Sequence, residues 1–169
     1  MAFDTYMKFE GGLEVKGESS TTGFEGQIEI YSFSFGASNP VTVGPGSEGL
    51  TGGRVSISSF NVMKKSESSS PVLFTACCTG QHFDKVTVTM RKATGSSGGQ
   101  QTFLTYVFED VMVESIQWSG ASGGDDTPTE SLSLAFGKVT IEYFKQSKKT
   151  GEMKSAGTAA WNLTTVSKV

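Results

Sequence analysis

Residues 131–144 read SLSLAFGKVTIEYF, and their apolar positions decide the fold. Leu132, Leu134 and Phe136 share one parity; Val139, Ile141 and Tyr143, after Gly137, share the other. Alternation of this kind is the mark of a β-strand with one face in a core. A glycine at the point where the parity switches marks a bulge or a corner. The same switch recurs elsewhere. Ile28 and Ile30 are followed by Tyr31, Phe33 and Phe35, and Val55 and Ile57 by Phe60 and Val62. Each implies a bulge or burial of both faces. Residues 102–118 are long for one strand, with Leu104, Tyr106 and Phe108 on one face and Val107, Val111 and Val113 on the other. They fit two strands or one bent strand. Residues 85–91 alternate cleanly, Val86, Val88 and Met90 against Thr87 and Thr89, and a last strand is expected over 160–166. Strands that bend repeatedly suit a barrel, because strands must coil to close one.

One helix interrupts this pattern. Ser70 is placed to cap it, Pro71 fits the first turn, residues 72–79 form its body, and Gly80 ends it in a left-handed conformation. The expectation is an all-β fold: a compact β-barrel with one short α-helix, formed by residues 1–169 as a single domain. The length of 169 residues supports one core. Twenty-one glycines and only 18% charged residues suit a strand-rich chain with many turns. Residues 39–53, with Pro40, Gly44, Pro45, Gly46, Gly49, Gly52 and Gly53, form a connection far longer than the usual 4–6 residues or so.

Searching for chemistry gives no active site. His82 is the sole histidine, four residues from Cys78, in no recognisable Cys–His pattern. It reads as structural or surface. Cys77 and Cys78 are adjacent, which suits two small hydrophobes better than a disulfide. One histidine and one cysteine pair do not make a four-ligand zinc site, and Asp125-Asp126 reads as a solvated turn. The glycines match neither a phosphate loop nor a dinucleotide fingerprint. Glu10, Glu14 and Glu18 form no identifiable acid–base pair. We therefore expect no catalytic residues, no metal and no cofactor. A net charge of -3 and the absence of long like-charge blocks argue against nucleic acid as a partner. No apolar stretch reaches the length of a membrane span, so membrane insertion is not expected. The first residues, MAFDTYMK, lack a basic start and an apolar segment, so the protein is expected to be made in the cytoplasm without a signal peptide.

Several segments, in order, resemble the Hcp proteins, the secreted tube proteins of type VI secretion. They are Gly17-Glu18-Ser19, Ile28-Glu29-Ile30 leading to Phe33-Ser34-Phe35-Gly36, and Ser70-Pro71 with Leu73, Ala76-Cys77 and Gly80. His82 to Ala93 follows, ending Met90-Arg91-Lys92-Ala93; then come residues 129–134, Tyr143 and Trp161-Asn162. The resemblance covers nearly the whole chain. It implies protomers joined into a hexameric ring with an open centre, and rings stacked into a tube that a contractile sheath drives outward behind a spike protein. It also implies small protein effectors carried in the lumen, and export through the type VI machine. On that basis Ser32 and Ser34, opposite in parity to Phe33 and Phe35, are the candidates to line the lumen. Val43, Gly44, Pro45, Gly46, Ser47, Glu48, Gly49 and Leu50 are the candidates for ring stacking. Two other readings compete. One is a tail-tube protein of a phage or another contractile particle. The other is a carbohydrate-binding β-domain, which would need an exposed aromatic platform; Trp118 and Trp161 sit in apolar strand contexts and are expected in the core.

Overall fold

The protein is described from a computed structural model over residues 2–44, 49–95 and 99–169. Among these described residues, thirteen strands and one helix follow in chain order. They are β1 (Phe3–Glu10), β2 (Ile28–Glu29), β3 (Ser32–Ser34), β4 (Ala37–Ser38), β5 (Val41–Thr42), β6 (Thr51–Gly52), β7 (Ser56–Ile57) and β8 (Phe60–Lys65). After α1 (Ser70–Thr79) come β9 (His82–Ala93), β10 (Gln100–Ser119), β11 (Thr129–Gln146), β12 (Met153–Asn162) and β13 (Ser167–Lys168).

One antiparallel sheet runs β2-β1-β9-β10-β11-β12-β13, and β8 adds to β11 and carries β3. The corner read at Gly137 is where β11 changes neighbours. Thr129 to Leu134 pair with β8, and Lys138 to Gln146 pair with β12. The corner continues across the sheet. Glu109 and Val111 face Lys138 and Phe136 on one side and Lys85 and Phe83 on the other, which brackets Asp110 between Gly137 and Asp84. Asp110 takes φ 53°, a left-handed conformation uncommon for a side-chain-bearing residue. Asp84 N–H donates to the Gly11 carbonyl at 3.0 Å, and Leu163 N–H to that of Gly137 at 2.8 Å. Buried parity flips along this line in each strand: Phe83 against Val86, Phe108 against Val111, Leu134 against Val139. A Cβ on Gly137 would lie 3.3 Å from the Asp110 Cβ, a tight contact that a larger residue could make only if Asp110 shifted by a few tenths of an ångström.

The expected barrel needs one correction. Among the described residues no continuous ladder closes it, because β2 pairs with β1 and β3 with β8, but not with each other. The circuit is completed by the chain itself, which crosses from β1 to β8 at the Ile30–Tyr31 switch. Ile30 N–H reaches the Thr5 carbonyl (3.1 Å), and Tyr31 N–H the Met63 carbonyl (2.9 Å). Inside sit Met7, Phe60, Leu73, Phe83, Phe108, Leu132 and Leu134, all essentially inaccessible. Phe108 packs at a tilt against Phe136 and Phe60, with centroids 4.6 and 4.8 Å away, within the usual range for aromatic pairs.

Other local readings divide. Residues 100–119 form one bent strand, with register shifts at Thr102/Leu104 and Val113/Ser115. Residues 54–62 split into β7 and β8, so the parity switch there is a break between two strands. The last long strand starts earlier than expected and stops at Asn162, whose side-chain oxygen accepts the N–H groups of Thr164 (2.9 Å) and Thr165 (3.0 Å) and turns the chain. The helix ends as read. Gly80 is left-handed (φ 65°), and Gln81 N–H bonds the Ala76 carbonyl at 3.0 Å. Its start differs. The cap position is Ser69, which makes no side-chain cap bond, while Ser70 Oγ accepts hydrogen bonds from the Glu67 N–H (3.0 Å) and from Lys64 Nζ (3.1 Å). Ser70 is recruited by a buried cation, which outcompetes its role as a cap.

Candidate functional site

The outward faces of β3, β8, β11 and β10 form an almost uncharged wall. Register places Ser32, Met63, Ser131 and Gln117 in one row, and Ser34, Asn61, Ser133 and Ser115 in the next. Alternation puts Phe33, Phe60, Val62, Leu132 and Leu134 on the other side, where they join the core. Ser32, Ser34 and Ser131 are exposed. Ser133 Oγ donates to Asn61 Oδ1 (2.5 Å), and Asn61 Nδ2 to the Ser59 carbonyl (3.1 Å), so the wall's amide is held in place. Met63, 45% exposed, is a single apolar knob between Ser32 and Ser131. The structure thus brings the two serines read from sequence beside five further polar residues from three other strands. Parity could have pointed to Ser131 and Ser133, which alternate with Leu132 and Leu134. It could not have said that they share a face with Ser32.

Behind this wall lies a buried ionic cluster. Lys64 and Glu130 are fully buried and paired at 2.6 Å across β8 and β11, with Glu67 at 3.9 Å from the same ammonium. Glu130 Oε1 accepts from Ser66 Oγ (3.1 Å) and from the Trp118 indole N–H. Glu67 in turn accepts the Glu18 N–H at 3.0 Å. The cluster therefore joins β8, β10, β11, the start of α1 and the loop before β2. Burial pushes the Glu130 carboxyl up. Hydrogen bonds from Lys64, Ser70 and Trp118 and the Lys64 charge outweigh it and hold the group below the usual glutamate range.

Trp118, expected in the core, lies outside it. It is 44% exposed, with its ring beside Phe74 of α1, centroids 5.6 Å apart, and its N–H on Glu130. Trp161 does pack against the core, half-buried.

The candidate stacking segment is not a plain loop. β4 pairs with β7 and β5 with β6, so residues 37–44 and 49–57 make an arm of two short ribbons, with Gly53 N–H on the Pro40 carbonyl at 2.8 Å. Val43 and Leu50 are about three-quarters exposed (76% and 75%), and Gly49 has φ 127°. Gly44 is half-buried, while Pro45, Gly46, Ser47 and Glu48 lie outside the described residues. Val41-Thr42-Val43 and Leu50-Thr51 around a glycine-rich turn were the available hairpin signal.

His82 is exposed on β9 opposite Met112, Cys78 is exposed, and half-buried Cys77 has its Sγ 3.9 Å from the Glu114 carbonyl. Among the described residues no three His, Cys, Asp or Glu side chains gather as a metal site would need. No helix among them is long and apolar enough to cross a membrane.

Residues 6–143 match the family model described as type VI secretion system effector, Hcp. Protein hcp1 of Pseudomonas aeruginosa is 32% identical over 165 residues, covering 96% of either chain. Among solved structures, a type six secretion system protein superposes with a TM-score of 0.89 at 34% identity, over 99% of this chain and 100% of that one. Hcp1 from Salmonella typhimurium gives 0.76 at 25% identity over the full length of both. With the family model spanning most of the sequence and relatives matching nearly end to end, this chain belongs to the Hcp family of type VI secretion.

Proposed function

We propose that this protein is a structural subunit of the secretion tube. Six copies form a ring, rings stack into a tube, and the tube carries small protein effectors in its lumen. Its partners are itself, the sheath, the spike protein and those effectors; it works by assembly and not by catalysis. It is made in the cytoplasm and leaves through the type VI machine.

The observation that carries this reading is the uncharged wall. The two rows of serines, an asparagine, a glutamine and Met63 carry no charge, and the one cation on the same β8 face, Lys65, is paired with Asp125, so the surface is wettable with little to select cargo by sign. Ser32 and Ser34, with Ser131 and Ser133, line the lumen in this proposal. The segment Val43–Leu50 at the arm's tip contacts the next ring. The test is the native mass of the purified protein by light scattering after gel filtration. A sharp species near six times 17.9 kDa, with rings in negative stain, is the expected result. A clean monomer at micromolar concentration overturns the reading.

A further inference from the structure

In the two rows of the wall, Met63 is the only apolar side chain, and it is 45% exposed. Its backbone is fixed. Ser32 and Ser131 stand directly opposite it on the two neighbouring strands, and its carbonyl accepts the Tyr31 N–H at 2.9 Å. Along the same face of β8, Asn61 is held by Ser133 and Lys65 by Asp125. Residues opposite each other in an antiparallel ladder have Cβ atoms about 4.5–5.5 Å apart, and a serine is too short to cover a methionine. The thioether is therefore uncovered on a rigid, otherwise polar surface. One exposed apolar residue is ordinary on an outer surface. On a wall repeated around a ring it recurs once per copy, as a girdle. An unbranched, polarisable side chain adapts to irregular apolar surfaces. With little charge on the wall to select by sign, this girdle is what separates cargo with an apolar patch from cargo without one.

The same exposure makes the sulfur reactive. Met7 and Met90 are buried, Met112 and Met153 are half-buried, and Met63 is the exposed methionine among the described residues. A hydroperoxide that reaches it is attacked by a sulfur lone pair. The S–O bond forms as the O–O bond breaks, the sulfur is oxidised by two electrons to the sulfoxide, and hydrogen peroxide leaves as water. The hydroxyls of Ser32 and Ser131, one on each side, are donors for the new oxygen. Oxidation thus turns the wall's apolar knob into a polar group, and a sulfoxide reductase restores it.

We propose that Met63 is an oxidisable grip on cargo: as a thioether it holds an apolar patch of a protein in the lumen, and a hydroperoxide releases that patch by converting it to the sulfoxide. This rests on the assembly reading above and gives the wall both a cargo preference and a means of changing it.

The test uses the full chain without its native thiols (Cys77→Ala, Cys78→Ala), before and after hydrogen peroxide, with Nile red as an uncharged apolar probe. Native mass is measured for every sample, oxidation is mapped on each methionine by peptide mass spectrometry, and dye binding is titrated by fluorescence. Met63 is expected to oxidise at least about tenfold faster than Met112 or Met153. Dye affinity is expected to fall at least about fivefold as it does so. Met63→Leu should bind the dye like the parent and keep its affinity in peroxide, and Met63→Gln should bind weakly from the start. Equal oxidation rates at the three methionines, or equal dye binding by Met63→Gln and the parent at the six-copy mass, overturn the grip and leave the assembly reading standing. A monomeric parent chain overturns both.

Discussion

Replacing Glu130 by glutamine tests whether the buried ionic cluster holds the fold together. The substitution keeps the shape and an oxygen to accept from Ser66 and Trp118 but removes the charge that balances Lys64, 2.6 Å away and fully buried. Removing one partner of a buried pair costs about 3–5 kcal/mol, because the other charge is left without compensation. Glu67, 3.9 Å from the same ammonium, offsets part of that, so we expect about 3 kcal/mol. Against a typical total of about 5–15 kcal/mol this is a large fraction. Urea unfolding followed by tryptophan fluorescence measures it, since Trp118 donates its indole N–H to the altered side chain. The paired variant Lys64→Met with Glu130→Leu is expected to lose much less, because two apolar groups leave no orphaned charge. The pH dependence has a definite sign. The folded-state value of Glu130 lies below its ordinary value, so its contribution is complete above the ordinary glutamate range. It disappears as the pH falls from that range through the lowered folded value. Glu130→Gln should flatten this acid limb. A loss under about 1 kcal/mol for Glu130→Gln, with the acid limb unchanged, would refute the argument.

Three further outcomes follow from the geometry. Asp110→Val should destabilise by about 1–2 kcal/mol in urea melts, because a β-branched side chain is placed at φ 53°, while Asp110→Asn stays within about 0.5 kcal/mol; equal stability of the two would contradict the corner as described. Ser34→Glu, on the uncharged wall, should leave the ring mass intact and weaken effector retention in a co-purification assay by about tenfold, equivalent to ~1.4 kcal/mol; undiminished retention rejects a lumen position for Ser34. Deleting residues 45–52 should reduce the yield of stacked tubes in negative stain while single rings remain, and unchanged tube formation counts against a stacking role for the arm.

Much of this could be read from local pattern. Gly137 and the Ile30–Tyr31 switch were both visible as parity changes, because a strand with one buried face alternates residue by residue whatever it pairs with. The helix end at Gly80 was visible for the same kind of reason, since a left-handed terminus favours glycine. Strands with weak patterns were not. Phe3–Glu10 is buried on both faces in its middle, with Thr5, Tyr6 and Met7 all inaccessible. Met153–Asn162 is mostly exposed and built from small residues. The first shows alternation only from Met7 to Glu10, after three buried residues in a row, and the second shows none.

What the sequence determined by itself is that the chain is strand-rich, bends at particular glycines and parity switches, carries one short helix and belongs with the Hcp proteins by its ordered motifs. The tertiary structure alone decided which strands meet. That the chain at Ile30–Tyr31 leaves β1 for β8, that Ser32 and Ser34 share a wall with Ser131 and Ser133, and that Trp118 bonds Glu130 while its ring lies beside Phe74 are all pairings between distant segments. Periodicity fixes which face of a strand is apolar, but neighbours are chosen by burial and hydrogen bonding over the whole chain, and those sums have no local signature.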